Sequence, residues 1–161
     1  MLKLNDLFSR NDFMNSVIRP YKTSDKGFLI EIFKKNIPEF FAPEELSEFI
    51  EFLEVHHKDY LTIEVENRVV GGLGHEHRVS DASGRINWVF IHPQYKGLGF
   101  GKDACLHCMT LLTSNPSIEK LLVRTSQHAA GFFKSLGYEV MSIEKDYWAE
   151  GFDLYLMKKG I

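Results

Sequence analysis

Three glycines alternate with apolar residues in the segment Lys96-Gly97-Leu98-Gly99-Phe100-Gly101-Lys102. Glycine lets a backbone approach a ligand closely, and a helix N-terminus offers amides that have no partner inside the helix. Such amides suit phosphate oxygens, and the two lysines add positive charge. The segment therefore predicts an anion-binding loop that wraps a diphosphate. The alternative is an ordinary turn from a strand into a helix.

Two familiar nucleotide loops do not fit this segment. A Walker loop needs Ser or Thr after Gly-Lys, and Asp103 follows Lys102 here. The dinucleotide pattern fails because the glycines stand at 97, 99 and 101 and come late in the chain. Neither a P-loop nor a Rossmann site is predicted.

Hydrophobic periodicity predicts the elements that must position the loop. An apolar strand precedes it, and a helix and a second strand follow, so these two strands should run parallel. The predicted strands are 17–20, 60–65, 69 onward, 85–91, 118–124, 138–143 and 152–157. The predicted helices lie around 28–33, 46–53, 99–112 and 129–136, and Thr23 and Ser24 are N-cap types before the first of them. An aromatic loop at 146–148 should join the last two strands. Residues 1–14 are interpreted as an arm or short helix, and residues 15–161 as one domain.

The segment from Ile91 to Gly101 resembles motif A of the GNAT acetyltransferase superfamily, with its Gln/Arg-x-x-Gly-x-Gly/Ala core. The segment from Phe132 to Tyr138 resembles motif B of the same family. The resemblance implies an α+β fold with a mixed sheet of about seven strands and about four helices. It also implies that the two central parallel strands splay apart around the pantetheine arm of acetyl-CoA.

The resemblance implies an N-acetyltransferase that moves an acetyl group from acetyl-CoA to a primary amine of a small molecule or peptide. Backbone groups near Phe90 and Ile91 would hold pantetheine, and an N–H there would stabilise the oxyanion. The residues implied for cofactor binding are Phe90, Ile91, Gln94, Lys96, Gly97, Leu98, Gly99, Phe100, Gly101, Lys102, Ser126 and Phe133.

The general base and the general acid of the family are both missing from their usual positions. Asn87 and Trp88 stand where a glutamate is common, which leaves Glu76 on the neighbouring strand as the candidate base. Phe133 occupies the position of the motif B tyrosine that protonates the departing thiolate. Tyr138 is the candidate acid, with Tyr147 or water as alternatives.

The acceptor site should involve the first two helices. Their phenylalanines and glutamates suit a small cationic amine, or they are core residues and a solvated face. These residues are Phe33, Phe40, Phe41, Phe49, Phe52, Glu39, Glu44, Glu45 and Glu48. The histidines at 75 and 77 have no third ligand at a recognisable spacing, so no metal is predicted.

Composition limits the partners and the compartment. The formal net charge of -3 is unlike the basic field of nucleic-acid binding, so nucleic acid is not expected as a partner. Cys105 and Cys108 are interpreted as helix packing residues and not as a disulfide framework, which indicates a reducing compartment. The sequence shows no apolar run long enough for a membrane span and no apolar signal core. A cytoplasmic protein is predicted, and the resemblance suggests a homodimer. The other functions considered are a non-catalytic acyl-CoA sensor and an interaction domain without ligand.

Overall fold

The computed structural model describes residues 14–161, so the predicted arm lies outside the described residues except for Met14. The strands are β1 Ser16–Pro20, β2 Tyr60–Val65, β3 Arg68–Arg78, β4 Ser83–Ile91, β5 Lys120–Thr125, β6 Glu139–Ala149 and β7 Phe152–Gly160. The helices are α1 Lys26–Lys35, α2 Glu45–His56, α3 Phe100–Thr113 and α4 Gln127–Ser135. The predicted α+β class, with seven strands and four helices in the described part, is confirmed.

The strands form one mixed sheet in the order β1-β2-β3-β4-β5-β7-β6. All neighbours are antiparallel except β4 and β5, which run parallel as the strand-helix-strand pattern predicts. Their pairing begins at Ser83↔Lys120 and ends at Ile86↔Val123, although β4 continues to Ile91. The two central strands therefore separate beyond Ile86.

A β-bulge in β4 lies at the point of separation. Asn87 pairs with Gly74 and Phe90 with Gly72, so Trp88 and Val89 together oppose one residue of β3. Trp88 takes a left-handed φ of 48°, and the buried hydroxyl of Tyr60 donates a hydrogen bond to the Trp88 carbonyl at 3.0 Å. A bulge re-aims side chains, so the residues after Asn87 change the face to which they point.

Each face of the sheet carries its own core. Helices α3 and α4 cover one face, where Phe100, Leu112 and Phe133 are buried. Helices α1 and α2 cover the first strands on the other face, where Phe33 and Phe49 stack with ring centroids 5.0 Å apart. Both phenylalanines are fully buried, so for them the core interpretation of the aromatic residues is correct.

Two local predictions differ from the structure. The predicted loop 146–148 belongs to β6, which runs to Ala149 and pairs there with Phe152. The strand is irregular here, since Asp146 has a left-handed φ of 53° and the pairing with β7 shifts between Glu144 and Ala149. The Trp148 indole donates a hydrogen bond to the Thr125 carbonyl at 3.1 Å, so a contact from outside the hairpin ties this stretch to β5. Thr23 and Ser24 do not cap α1 but form a short 3-10 turn before it.

Candidate active site

The glycine loop joins β4 to α3 in a conformation that glycine permits. Gly97 and Gly99 have φ values of 76° and 91°, in the left-handed region where other residues are strained. Gly99 immediately precedes α3, and the Asp103 amide donates to the Gly99 carbonyl at 2.9 Å. The amides of the helix residues before Asp103 have no carbonyl one turn back within α3, so they are available to an anion.

A cleft of about 710 Å³ opens where β4 and β5 separate. Its volume is within the range of small-molecule and cofactor sites. The glycine loop, the end of β4, the end of β5, helix α4 and the segment between α1 and α2 line it. The predicted cofactor residues in its wall are Phe90, Ile91, Lys96, Gly97, Gly99, Phe100, Gly101, Lys102, Ser126 and Phe133. Gln94 and Leu98 are not among its lining residues, and Leu98 packs against the core instead.

The opening between the strands fits the pantetheine arm of acetyl-CoA. Residues 87–91 of β4 have no partner on β5, so one edge of the strand is free for an extended ligand. The Asn87 side chain lines the cleft, and its buried Oδ1 has no hydrogen-bond partner within residues 14–161. A buried acceptor of this kind calls for a donor from a ligand or water. The loop amides and the free edge of β4 fit a ligand that has a diphosphate and an extended arm.

Lys96 ties the loop to the end of α1. Its ammonium group donates to Asn36 Oδ1 and lies 3.6 Å from the centroid of the Phe40 ring. Burial lowers the pKa of Lys96, while the charge of Glu39 opposes this effect. Asn36 is itself buried and donates through Nδ2 to the carbonyls of Ile32 at 3.0 Å and Ile91 at 3.1 Å.

The candidate base Glu76 lines the cleft from β3. Its carboxylate accepts from Arg78 Nε at 3.0 Å, and its side chain is 39% exposed. His75 is half-buried, and burial lowers its pKa. Within the described range no group of three or more His, Cys, Asp or Glu residues is arranged to hold a metal ion.

The candidate acid Tyr138 lies just before β6 and inside the core. Its hydroxyl is buried and has no partner in the described part of the chain, and burial raises its pKa well above the ordinary value. The Tyr138 ring packs edge-on against Phe133 at 5.6 Å. The cleft wall includes Phe133 but not Tyr138, so this position counts against a role as acid.

Ser126 caps α4. Its Oγ accepts from the His128 amide at 3.3 Å, so the hydroxyl is engaged locally although the residue lines the cleft. Cys105 and Cys108 are buried free cysteines, and burial raises the pKa of each thiol to about 12. Neither thiol is suited to nucleophilic chemistry.

Two further groups lie in the cleft wall: Glu45, one of the glutamates considered for the acceptor site from the sequence, and Arg124, which was missed. Glu45 at the start of α2 is only 7% exposed. Arg124 of β5 lies over the Tyr147 ring at 5.0 Å and donates to its hydroxyl at 2.6 Å. No local pattern marks Arg124 or distinguishes Glu45 from the neighbouring glutamates, because strand separation and the placement of α2 bring these two residues to the cleft.

A family model for an acetyltransferase (GNAT) domain matches residues 21–161. A comparison with curated proteins gives no match. No helix in the part of the chain that the structure describes has the length and apolar character needed to cross a membrane.

Among solved structures, the chain is similar to Ard1 from Thermoplasma volcanium, with 15% identity, a TM-score of 0.75 and coverage of 91% of this chain and 97% of that one. It is similar to the ribosomal-protein-S18-alanine N-acetyltransferase from Escherichia coli, with 15% identity, a TM-score of 0.74 and coverage of 91% and 94%. It is also similar to an aminoglycoside 6'-N-acetyltransferase complexed with coenzyme A, with 11% identity, a TM-score of 0.69 and coverage of 89% and 96%. At these identities the likeness shows the fold. Because the family model spans nearly the whole described chain, the protein belongs to the GNAT acetyltransferase family and is an acyltransferase.

Proposed function

We propose that this protein transfers the acetyl group of acetyl-CoA to a primary amine of a small molecule or peptide. The observation that carries the proposal is the parallel pair β4 and β5, which separates after Ile86 beside a glycine loop with two left-handed glycines. An extended thioester ligand with a diphosphate at one end matches both features of this cleft.

The loop provides the anchoring end of the site. Free amides at the start of α3 would bind the diphosphate, and Lys102 adds positive charge in the same wall. The unpaired edge of β4 beyond Asn87 would bind the pantetheine amides and offer an N–H to the oxyanion that develops during transfer. Acetyl-CoA would supply the activated acetyl thioester.

The acceptor must lose a proton before it attacks. An alkyl ammonium with a pKa of ~10.4 pays about 4 to 5 kcal/mol for this at neutral pH. Glu76 stays the base predicted from the sequence, and its ion pair with Arg78 holds the carboxylate at the edge of the cleft. Phe133 offers no proton to the leaving thiolate. A thiol with a pKa of ~8.5 can leave as the thiolate without an acid, although more slowly than when an acid protonates it.

The experiment is a thiol-release assay with acetyl-CoA against amino sugars, polyamines, amino acids and peptides, together with a calorimetric titration of coenzyme A. We expect coenzyme A to bind and at least one amine to accelerate thiol release. Absence of coenzyme A binding would refute the proposal.

A non-catalytic acyl-CoA sensor is the second candidate function. Its supporting observation is that Phe133 lacks a hydroxyl and that the hydroxyl of Tyr138 is buried. A sensor would bind acetyl-CoA without amine-dependent thiol release across the whole panel, and Phe133→Tyr would not create turnover.

A further inference from the structure

Glu45 is a buried carboxylate that the fold alone does not require. Its residue is 7% exposed, whereas Glu44 and Glu48 on the same helix are exposed. Carboxylates are rarely buried without a cationic partner, because desolvation of the charge is costly. Yet no lysine, arginine or histidine from residue 14 to residue 161 forms an ion pair with Glu45.

Only one of the two carboxylate oxygens of Glu45 is used by the fold. Oε2 accepts from the Ala42 amide at 2.8 Å, whereas Oε1 has no hydrogen bond to any residue that the structure describes. A neutral acceptor would satisfy that amide as well. Because Glu45 lines the cleft, its second oxygen is available to a ligand.

The wall beside Glu45 has the chemistry of a cation site. Phe41 lies four residues before Glu45 in the segment that leads into α2, and its ring stacks on Trp88 with centroids 6.3 Å apart and planes 23° apart. Both rings line the cleft next to the β4 bulge. Aromatic faces attract cations. The same wall already holds an ammonium group, since Lys96 lies 3.6 Å over the Phe40 ring.

We propose that Glu45, in place of Glu76, is the residue that binds the ammonium group of the acceptor and takes its proton, because the Glu76 carboxylate is already paired with Arg78. The acceptors are then primary amines that enter as cations along Phe41 and Trp88. This proposal rests on the proposed acetyltransferase function.

The transfer step balances with these groups. An N–H bond of the ammonium breaks and its proton moves to the Glu45 carboxylate. The freed electron pair on nitrogen forms the C–N bond to the acetyl carbon, the C–S bond breaks, and sulfur leaves as a thiolate with the electron pair of the C–S bond. The nitrogen then loses a second proton to give the neutral amide, so that of the two protons released one neutralises the thiolate and the other goes to solvent. The proton on Glu45 passes to solvent or to the thiolate before the next cycle.

The protonation of Glu45 suits this role. Burial raises its pKa to about 7, the Ala42 amide opposes this effect, and the charges of Glu48 and Glu44 add to it. A base that titrates near neutral pH is efficient in proton transfer. The other charged residues in the cleft wall are Glu76, Arg78, Arg85, Lys96, Lys102 and Arg124, with His128 also present.

The test compares Glu45→Gln with Glu51→Gln, which makes the same substitution at an exposed position of the same helix, outside the cleft wall. Glutamine keeps an oxygen for the Ala42 amide, so the variant should fold, and its coenzyme A affinity should stay within about twofold of wild type. We expect kcat/KM for the best amine to fall about a hundredfold or more in Glu45→Gln, with loss of the ascending limb of the pH profile near 7, and no change in Glu51→Gln.

Wild-type kinetics give a second readout that does not need the variant. A trimethylammonium analogue of the best acceptor should inhibit competitively against the amine, and its uncharged tert-butyl isostere should not. Equal inhibition by the two probes, or unchanged kcat/KM and pH profile in Glu45→Gln, overturns the role of Glu45 while the acetyltransferase function stands. Absence of amine-dependent thiol release in wild type overturns both.

Discussion

Gly99 is the position where one added side chain should damage cofactor binding most directly. It sits at φ 91° immediately before α3, and a β-branched residue is strongly strained in that region. We expect Gly99→Val to cost the folded protein about 1 to 2 kcal/mol. For a chain of 161 residues this lowers Tm by about 2 to 8 °C.

The same substitution should weaken coenzyme A at least about tenfold, which is about 1.4 kcal/mol or more. The added side chain either occupies the approach to the loop amides or forces Gly99 out of its left-handed conformation, which turns those amides away. At a coenzyme A concentration about 100 times the wild-type Kd, the ligand stabilises wild type by about 2.7 kcal/mol and a tenfold weaker variant by about 1.4 kcal/mol. The thermal shift on adding coenzyme A should therefore be roughly halved.

Gly101→Ala provides the matched control. A Cβ at Gly101 would lie 3.4 Å from Ile91 Cγ1, an ordinary contact, and Gly101 does not have a positive φ. We expect this variant to keep the loop conformation and to lose less affinity for coenzyme A than Gly99→Val. Calorimetry and thermal melts of the three proteins decide the matter. A folded Gly99→Val protein with wild-type affinity, or an equal loss in Gly101→Ala, would refute the argument for the loop.

Three further predictions concern stability. Burial raises the pKa of Glu45 from 4.5 to about 7, so the folded state loses stability as the pH rises through this window. The difference in unfolding free energy between Glu45→Gln and wild type, measured in urea melts, should therefore shift in favour of the variant by about 1 to 3 kcal/mol between pH 4.5 and pH 8. A constant difference would contradict this. Arg19→Ala should cost about 3 kcal/mol in urea melts at pH 7, because it leaves the buried Asp25 carboxylate without its paired cation at 2.8 Å, and a loss under about 1 kcal/mol would argue against it. Gly74→Ala should lower Tm, because a Cβ there would lie 2.0 Å from Asn87 Oδ1, whereas Gly27→Ala in α1, with open space around its Cβ, should leave Tm equal or higher.

The pH dependence of the Arg19 network has the opposite sign to that of Glu45. Burial by itself would raise the pKa of Asp25, but hydrogen bonds from Arg19, the Lys22 amide and Thr62 outweigh it and lower the pKa below 3.8. A lowered carboxyl pKa stabilises the fold above the unfolded value and loses that contribution as pH falls. The cost of Arg19→Ala should therefore shrink in acid.

Local patterns in the sequence were sufficient for the loop and for the order of the elements. The glycine spacing at 97 and 99 predicted an anion loop before a helix, and the structure places left-handed glycines there. Turn residues and apolar periodicity located the seven strands, because alternation and helical spacing are properties of neighbouring residues. The strand-helix-strand unit predicted the parallel pair.

What tertiary structure alone decided is which of several similar residues face the cleft. Phe33 and Phe49 are core residues, whereas Phe40 and Phe41 line the cleft, although all four are phenylalanines of the same region. Glu44, Glu45 and Glu48 are close in sequence, yet the placement of α2 over the β4 bulge buries only Glu45. Burial depends on contacts between residues far apart in the chain, and such contacts leave no trace in local spacing. The position of the glycine loop could therefore be predicted from the sequence by itself. The burial that raises the pKa of Glu45 depends on the tertiary structure.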